Sequence, residues 1–168
     1  MNFKSICYYL GLSCFPISAL SFVNILYSSY FDYFLSINSY ISTLGISFFV
    51  GLIFFFIGKK SIKRINFIEQ LLLIIFIYFL NSILIALPFY LSNYQVTFIN
   101  ALFESISGLT GTGFSIFKDI KYLDPTLIIW RSSSQWIGGL YFLFFLILIF
   151  SNKKFSYKMT DLTYSSDG

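Results

Sequence analysis

The sequence predicts an all-α membrane protein with four transmembrane helices and one shorter, re-entrant helix that leads into a loop. Of its 168 residues, 57% are hydrophobic and only 11% are charged, and the mean hydropathy is +0.79. This composition lies outside the range of soluble globular domains. Four apolar stretches are long enough to cross a hydrocarbon core of ~30 Å. A fifth is too short to do so and ends in a run of threonine and glycine.

The four predicted spans follow one another along the chain with polar segments between them. They run from Ile6 to Ser29, from Ile41 to Ile57, from Leu71 to Leu91 and from Thr126 to Phe150. A secretory signal is the alternative for the first stretch, but its apolar run continues through Leu26 without a convincing cleavage site, which favours a retained helix. Asp124-Pro125 predicts the start of the last span, because an acceptor side chain followed by proline is typical of a helix N-terminus.

Basic residues indicate the topology. The densest group lies between the second and third spans and comprises Lys59, Lys60, Lys63 and Arg64. The positive-inside bias places this loop in the cytoplasm, and an even number of spans then places both termini there. We therefore divide the chain into an N-terminal transmembrane helix pair (1–64), one span–loop–span repeat (65–150) and a cytoplasmic tail (151–168). The net charge of +4 does not indicate a nucleic-acid partner, because the basic residues collect between and after the apolar runs.

The short apolar stretch belongs to residues 97–115, which read TFINALFESISGLTGTGFS. About a dozen helical residues precede the glycines and cover only ~18 Å, so we expect this helix to enter the membrane and return. Backbone that leaves a helix at membrane depth is tolerated only where it is buried in protein or lines a water-filled cavity. The stretch is therefore a candidate pore helix followed by a candidate filter loop.

Thr110, Gly111, Thr112 and Gly113 are the candidate filter and potassium-binding residues. A dehydrated potassium ion needs several oxygens, which a filter supplies from backbone carbonyls in an extended, strained segment. Glycine reaches the required backbone angles without steric cost, and the threonine hydroxyls can add ligands or brace the strand. The carboxyl end of the preceding helix favours a cation. The alternative is that the glycines form a flexible external turn.

Four further residues are candidates for supporting this filter. Glu104 lies one turn before it, and an ionisable group at membrane depth indicates a functional role. We expect Glu104 to accept hydrogen bonds from backbone N–H groups around the filter, or to pair with Arg131, which needs an acceptor or water nearby. Gln135 follows Arg131 by one turn, and Gly108 lies on the short helix. Either Glu104 contact would brace the loop rather than bind the ion. The alternative is that Glu104 merely reaches external water.

The sequence offers no arrangement of residues that is typical of an enzyme active site. It contains no histidine, no paired membrane carboxylates and no spacing typical of metal ligands. We therefore expect neither an enzyme nor a cofactor. Cys7 and Cys14 lie seven residues apart, about 10 Å along one helix, which is too far for a disulfide.

Two motifs carry a resemblance to a known family. Residues 101–113, ALFESISGLTGTG, closely resemble the first pore loop of the TrkH branch of the Trk/Ktr/HKT potassium transporters. Trp130-Arg131-Ser132 and the QWIGG run at 135–139 resemble the start of the inner helix that follows that loop. The first two spans look like the extra N-terminal helix pair of TrkH proteins. The resemblance implies potassium uptake across the bacterial cytoplasmic (inner) membrane, with the filter at Thr110 to Gly113 and Gly113 the position on which the family depends.

The departures from this pattern shape the functional hypothesis. Family members carry four span–loop–span repeats and this sequence contains one, so we interpret it as an N-terminal fragment of a potassium uptake subunit. To conduct, it would assemble with copies of itself or with a second chain that supplies the missing repeats. The family's partner is a cytosolic nucleotide-binding regulator, whose docking surface is expected to lie largely on absent parts. Gly111 also stands where many relatives have threonine. The alternative function is a non-conducting remnant or a small membrane scaffold protein without transport activity.

Overall fold

The computed structural model describes residues 3–59 and 65–150, and for residues 148–150 only the backbone. Within these ranges the regular structure is entirely helical, as the sequence predicts. The five α-helices and one 3-10 turn are α1 (Phe3–Tyr30), α2 (Ile37–Gly58), α3 (Phe67–Tyr90), α4 (Phe98–Thr110), the 3-10 turn Ile120–Tyr122 and α5 (Pro125–Phe150). Each predicted apolar stretch lies within a helix, apart from Leu91 at the end of the third. Lys60, Lys63, Arg64 and the predicted tail 151–168 lie outside the described residues.

Three of the helices, α1, α2 and α3, are long and apolar enough to cross a membrane, judged on the described residues alone. The membrane class that the composition predicts is thus matched by the helices. The interpretation of α5 as a fourth span and of α4 as a re-entrant helix stays a prediction. At 13 residues, α4 is about 20 Å long, shorter than a hydrocarbon core.

The helices α1 and α2 pack side by side through glycines. A Cβ atom added at Gly11 would lie 2.7 Å from the carbonyl oxygen of Gly51, and one added at Gly58 would overlap the backbone of Tyr8. Small residues allow this backbone approach between membrane helices. Two hydroxyl groups buried on the pair bond to their own helix: Ser21 Oγ donates to the carbonyl of Ile17 (3.1 Å), and Thr43 Oγ1 donates to that of Ser39 (2.8 Å).

The main core joins all five helices around Trp130 on α5. This side chain is 1% exposed, and its indole N–H donates to the carbonyl of Ile85 on α3 (3.0 Å). Nearer the other end of α5, the Tyr141 hydroxyl donates to the carbonyl of Ser13 on α1 (2.6 Å). Cys7 and Cys14 are free and buried. These contacts fix the position of α5, which carries Arg131 and Gln135 of the candidate site.

The start of α5 confirms the prediction made from Asp124-Pro125. The helix begins at Pro125, and Asp124 Oδ1 accepts the backbone N–H of Thr126 at 3.0 Å. This bond satisfies one of the amide groups that a helix leaves without an internal partner at its N-terminus.

Candidate ion site

The short helix α4 presents one face to the protein and leaves the other open. Its buried residues include Glu104, Ser107 and Gly108, whereas Phe103 and Ile106 are exposed. The Thr97 hydroxyl caps its start by accepting the N–H of Asn100 at 3.4 Å. The buried polar side chains of α4 contact the loop and α5: Ser107 bonds to the carbonyl of Phe114, and Glu104 pairs with Arg131.

The end of α4 is closed by Gly111 in a left-handed conformation, with φ +71°. Its N–H donates to the carbonyl of Gly108 (3.0 Å), and the N–H of Thr112 donates to that of Ser107 (3.1 Å). This pair of bonds is the Schellman motif, in which glycine is favoured because it adopts positive φ without a Cβ penalty.

This helix end corrects one expectation. We expected an extended segment from Thr110 to Gly113, but Thr110 is the last residue of α4 and Gly111 turns the chain out of the helix. Residues 112–115 have no regular secondary structure, and Gly113 also has a positive φ. The reason is that carbonyls in the last turn of α4 need donors, and Gly111 and Thr112 supply them.

Both threonine hydroxyls bond within the loop and α4. Thr110 Oγ1 donates to the carbonyl of Ile106 (2.7 Å). Thr112 Oγ1 lies 3.3 Å from the carbonyl oxygen of Ser107 and 3.2 Å from Ser107 Oγ. The two threonine oxygens are 3.3 Å apart. In these contacts the hydroxyls brace the turn. Bracing was one of the two roles that the sequence suggested for them, the other being to add ligands for the ion.

The carbonyls after the bend are held from α5. Gly113, with φ +78°, and Phe114 both accept from Arg131 Nη2, at 3.0 Å and 3.2 Å. The Phe114 carbonyl also accepts from Ser107 Oγ at 2.6 Å. One guanidinium group on α5 and one hydroxyl on α4 therefore fix the direction of two successive peptide groups.

Glu104 makes both of the contacts that the sequence offered as alternatives. The carboxylate is fully buried and forms an ion pair with Arg131 Nε. It also accepts the backbone N–H of Ile116 (3.0 Å) and the hydroxyl of Ser115 (3.1 Å). A buried carboxylate with this many donors is compensated for its loss of water. The pair also neutralises the guanidinium charge, which would otherwise repel a cation near the loop.

Close contact between α4 and α5 brings these side chains together. A Cβ atom at Gly108 would overlap Ser134 Oγ, and one at Gly138 would overlap the carbonyl of Leu109, whereas Gly139 has open space. Of the two neighbouring glycines at 138 and 139, only Gly138 makes the close contact with α4. Gln135 is half-buried, and its side chain forms no hydrogen bond with the described parts of the chain.

Sequence reasoning missed Ser107 and Ser115. Ser107 contacts Thr112 and Phe114, and Ser115 contacts Glu104. A local pattern in the sequence could have indicated Ser107. A glycine directly after a helix that ends in threonine predicts a Schellman motif, and one carbonyl acceptor of that motif lies four residues before the glycine. Serine is so common in this chain that its identity alone indicated nothing.

The fold and the site together define a class: an all-helical chain with membrane-length helices and a short helix that ends in a braced Thr/Gly bend. Comparison with known proteins agrees with this class. The chain is 34% identical over 106 residues to the Trk system potassium uptake protein TrkG of Escherichia coli (strain K12), an alignment that covers 58% of the chain and 22% of TrkG. It is 42% identical over 55 residues to TrkI of Halomonas elongata, covering 33% of the chain and 11% of TrkI.

A third similarity extends over a comparable length. The chain is 26% identical over 104 residues to the Trk system potassium uptake protein TrkH of E. coli (strain K12), covering 61% of the chain and 22% of TrkH. No family model matches the chain. The similarity to Trk potassium uptake proteins that the motifs predicted is therefore confirmed, and the chain spans about a fifth of the length of TrkG and TrkH.

Proposed function

We propose that this chain is a subunit of a Trk-type potassium uptake system, with a filter formed by Thr110, Gly111, Thr112 and Gly113. The observation that carries the proposal is the bend after α4. Residues 110–114 are exposed, yet Arg131, paired with Glu104, and Ser107 donate hydrogen bonds to the carbonyls of Gly113 and Phe114. An exposed loop fixed this firmly, between apolar helices, suits a surface that receives an ion.

The chemistry of the open side supports a cation. Polar backbone at membrane depth needs protein or water against it, and the carboxyl end of α4 carries partial negative charge. In this proposal Glu104, Gly108, Arg131 and Gln135 support the filter and do not bind the ion. The transported ion is potassium, which is the substrate, and we expect no cofactor.

The proposal includes a topology. In it α1, α2, α3 and α5 cross the bacterial inner membrane, α4 enters from the exterior and returns, and both termini are cytoplasmic. Residues 1–64 form the helix pair, 65–150 the span–loop–span repeat and 151–168 the tail.

A single loop forms only one side of an ion path, so the proposal requires further loops. Copies of this chain, or a second chain with further repeats, would place their loops opposite residues 110–114. A cytosolic nucleotide-binding regulator is a partner only to the extent that this part of the protein contributes to its docking surface. Native electrophoresis of the purified chain separates the cases, because a homotetramer supports self-assembly and a monomer does not.

One observation favours the second candidate, a non-conducting remnant or a small membrane scaffold. The carbonyls of Gly113 and Phe114 already accept hydrogen bonds from Arg131. Such an arrangement also suits a static turn with no ion to bind.

Potassium uptake separates the two candidates. In a bacterium that lacks its own potassium uptake, the chain, expressed with any second subunit it requires, should restore growth at low external potassium. Gly113→Ser should abolish this rescue, because a side chain at φ +78° costs roughly 1–2 kcal/mol and tilts the adjacent carbonyls. Gly45→Ala on α2, where a Cβ meets nothing within 4 Å, is the matched control and should keep uptake. Uptake that survives Gly113→Ser would contradict the filter assignment.

A further inference from the structure

The start of α5 is tied to the helix pair α1–α2 by side chains that the filter proposal does not use. Thr126 Oγ1 accepts the hydroxyl of Tyr40 on α2 (3.1 Å) and donates to Asp124 Oδ1 (3.0 Å). Asp124 Oδ2 receives the hydroxyl of Ser36, which immediately precedes α2 (3.4 Å). We call Ser36, Tyr40, Asp124 and Thr126 the outer junction.

The outer junction is buried, and its hydrogen bonds run in one direction. Tyr40 and Thr126 are both 0% exposed and Asp124 is 5% exposed. Their hydrogen bonds form a chain, Tyr40 to Thr126 to Asp124, that ends on a carboxylate. Bonds in such chains polarise one another, and those to an ionised acceptor are roughly twice as strong as neutral ones. An N-cap needs only the bond that the Thr126 amide donates to Asp124 Oδ1, so the contacts to α2 exceed what helix capping requires.

Displacement of the outer junction would reach the loop through α5. Arg131 lies seven residues after Asp124, about 10 Å along the same helix. Between them Trp130 packs against the Tyr40 ring, with ring centroids 5.7 Å apart. The guanidinium of Arg131 then holds Glu104 and the carbonyls of Gly113 and Phe114. A helix is stiff over two turns, so a shift or rotation at Thr126 moves Arg131 with it.

We propose that the helix pair positions the loop, with Tyr40 and Thr126 acting as positioning residues for the Arg131–Glu104 pair. The helix pair is then part of the mechanism that holds the carbonyls of Gly113 and Phe114 in place, and not only a membrane anchor. The contact itself is independent of ion transport, but its importance for conduction rests on the proposed function.

The experiment measures the accessibility of the loop at a cysteine introduced by Ile116→Cys. This position is suitable because the amide of Ile116 bonds to Glu104 and its side chain is half-buried. The rate of modification by a membrane-impermeant maleimide is measured in the full chain. Tyr40→Phe and Thr126→Val each remove only hydroxyl chemistry and should raise the rate about fivefold, the factor that corresponds to one net hydrogen bond. Thr126→Ser should keep the parent rate. The double variant should label no faster than either single variant, because both act through one chain of bonds.

Controls separate positioning from general loosening. Tyr30→Phe changes an 80% exposed tyrosine of α1 and should have no effect. Cys14, buried in α1, should remain unmodified in every variant. Three results would each overturn the inference. The first is a labelling rate in Thr126→Val equal to that of the parent protein, and the second is an equal labelling rate in Thr126→Ser and Thr126→Val. The third is an increase in the labelling of Cys14 that accompanies the increase at residue 116. Because labelling needs no conduction, failed rescue together with the expected labelling pattern would overturn the proposed function and leave the positioning role intact.

Discussion

Two helix contacts in this molecule, α1 with α2 and α4 with α5, both depend on close approach of the backbones. They differ in what the side chains around them do. Both bring helices together through glycines, Gly11 and Gly58 in the first and Gly108 and Gly138 in the second. Along α1 and α2, hydroxyls such as those of Ser21 and Thr43 bond to their own helix. Between α4, the loop and α5, side chains bond across elements, above all through Arg131.

The difference shows where specificity lies in this molecule. Close packing of small residues is a general way to associate membrane helices and carries no information about function. Among the side chains that cross between α4, the loop and α5, Arg131 and Ser107 bind the carbonyls of one segment, the Thr/Gly bend and Phe114 directly after it. Three substitutions test this contrast.

The largest effect is expected from Glu104→Ala, which removes the centre of the cross-element contacts. It leaves the guanidinium of Arg131, which is 11% exposed, without its carboxylate. Breaking a buried ion pair by removing one partner costs about 3 kcal/mol or more in the free energy of unfolding. Denaturation in detergent micelles measures this cost. Asp119→Ala, in the exposed part of the same loop, is the control, and equal losses for the two variants would refute the role of the pair.

An intermediate effect is expected from Gly138→Ala on α5. The new methyl group would overlap the carbonyl of Leu109, so α4 and α5 must separate, at a typical cost of 1–3 kcal/mol. The neighbouring change Gly139→Ala meets open space and should be neutral or slightly stabilising, because alanine is the better helix former. We expect Gly138→Ala also to lower potassium uptake, since it displaces the carboxyl end of α4. Similar stability of the two variants would show that α4 and α5 do not depend on this contact.

The smallest effect on the site is expected from Gly11→Ala in α1. It should cost 1–3 kcal/mol of stability through its overlap with α2 while the Ile116→Cys labelling rate changes less than it does in Thr126→Val. The helix pair can separate slightly near Gly11 without moving the outer junction, which lies at the opposite end of α2. Gly45→Ala again serves as the control for α2. A labelling increase in Gly11→Ala as large as that in Thr126→Val would show that the two regions are not distinct.

Much of the fold was predictable because it depends on contiguous residues. Apolar length gave the helices, and Asp124-Pro125 gave the first residue of α5. The ALFESISGLTGTG motif indicated the relatives with which the chain aligns. The prediction was wrong in placing extended backbone at Thr110, because the carbonyls of Ser107 and Gly108 at the end of α4 are capped by the N–H groups of Gly111 and Thr112, which keeps Thr110 in the helix.

The sequence by itself determined that the chain is helical, membrane-type, similar to Trk potassium uptake proteins and equipped with one Thr/Gly bend. Only the tertiary structure decided that Glu104 serves Arg131 and the loop amides together, that Gly138 and not Gly139 contacts α4, and that Tyr40 reaches Thr126. The physical reason is that hydrophobic length and helix capping are set by neighbours in the chain. Which side of a helix meets its partner depends on rotations and crossing positions that all five helices fix jointly.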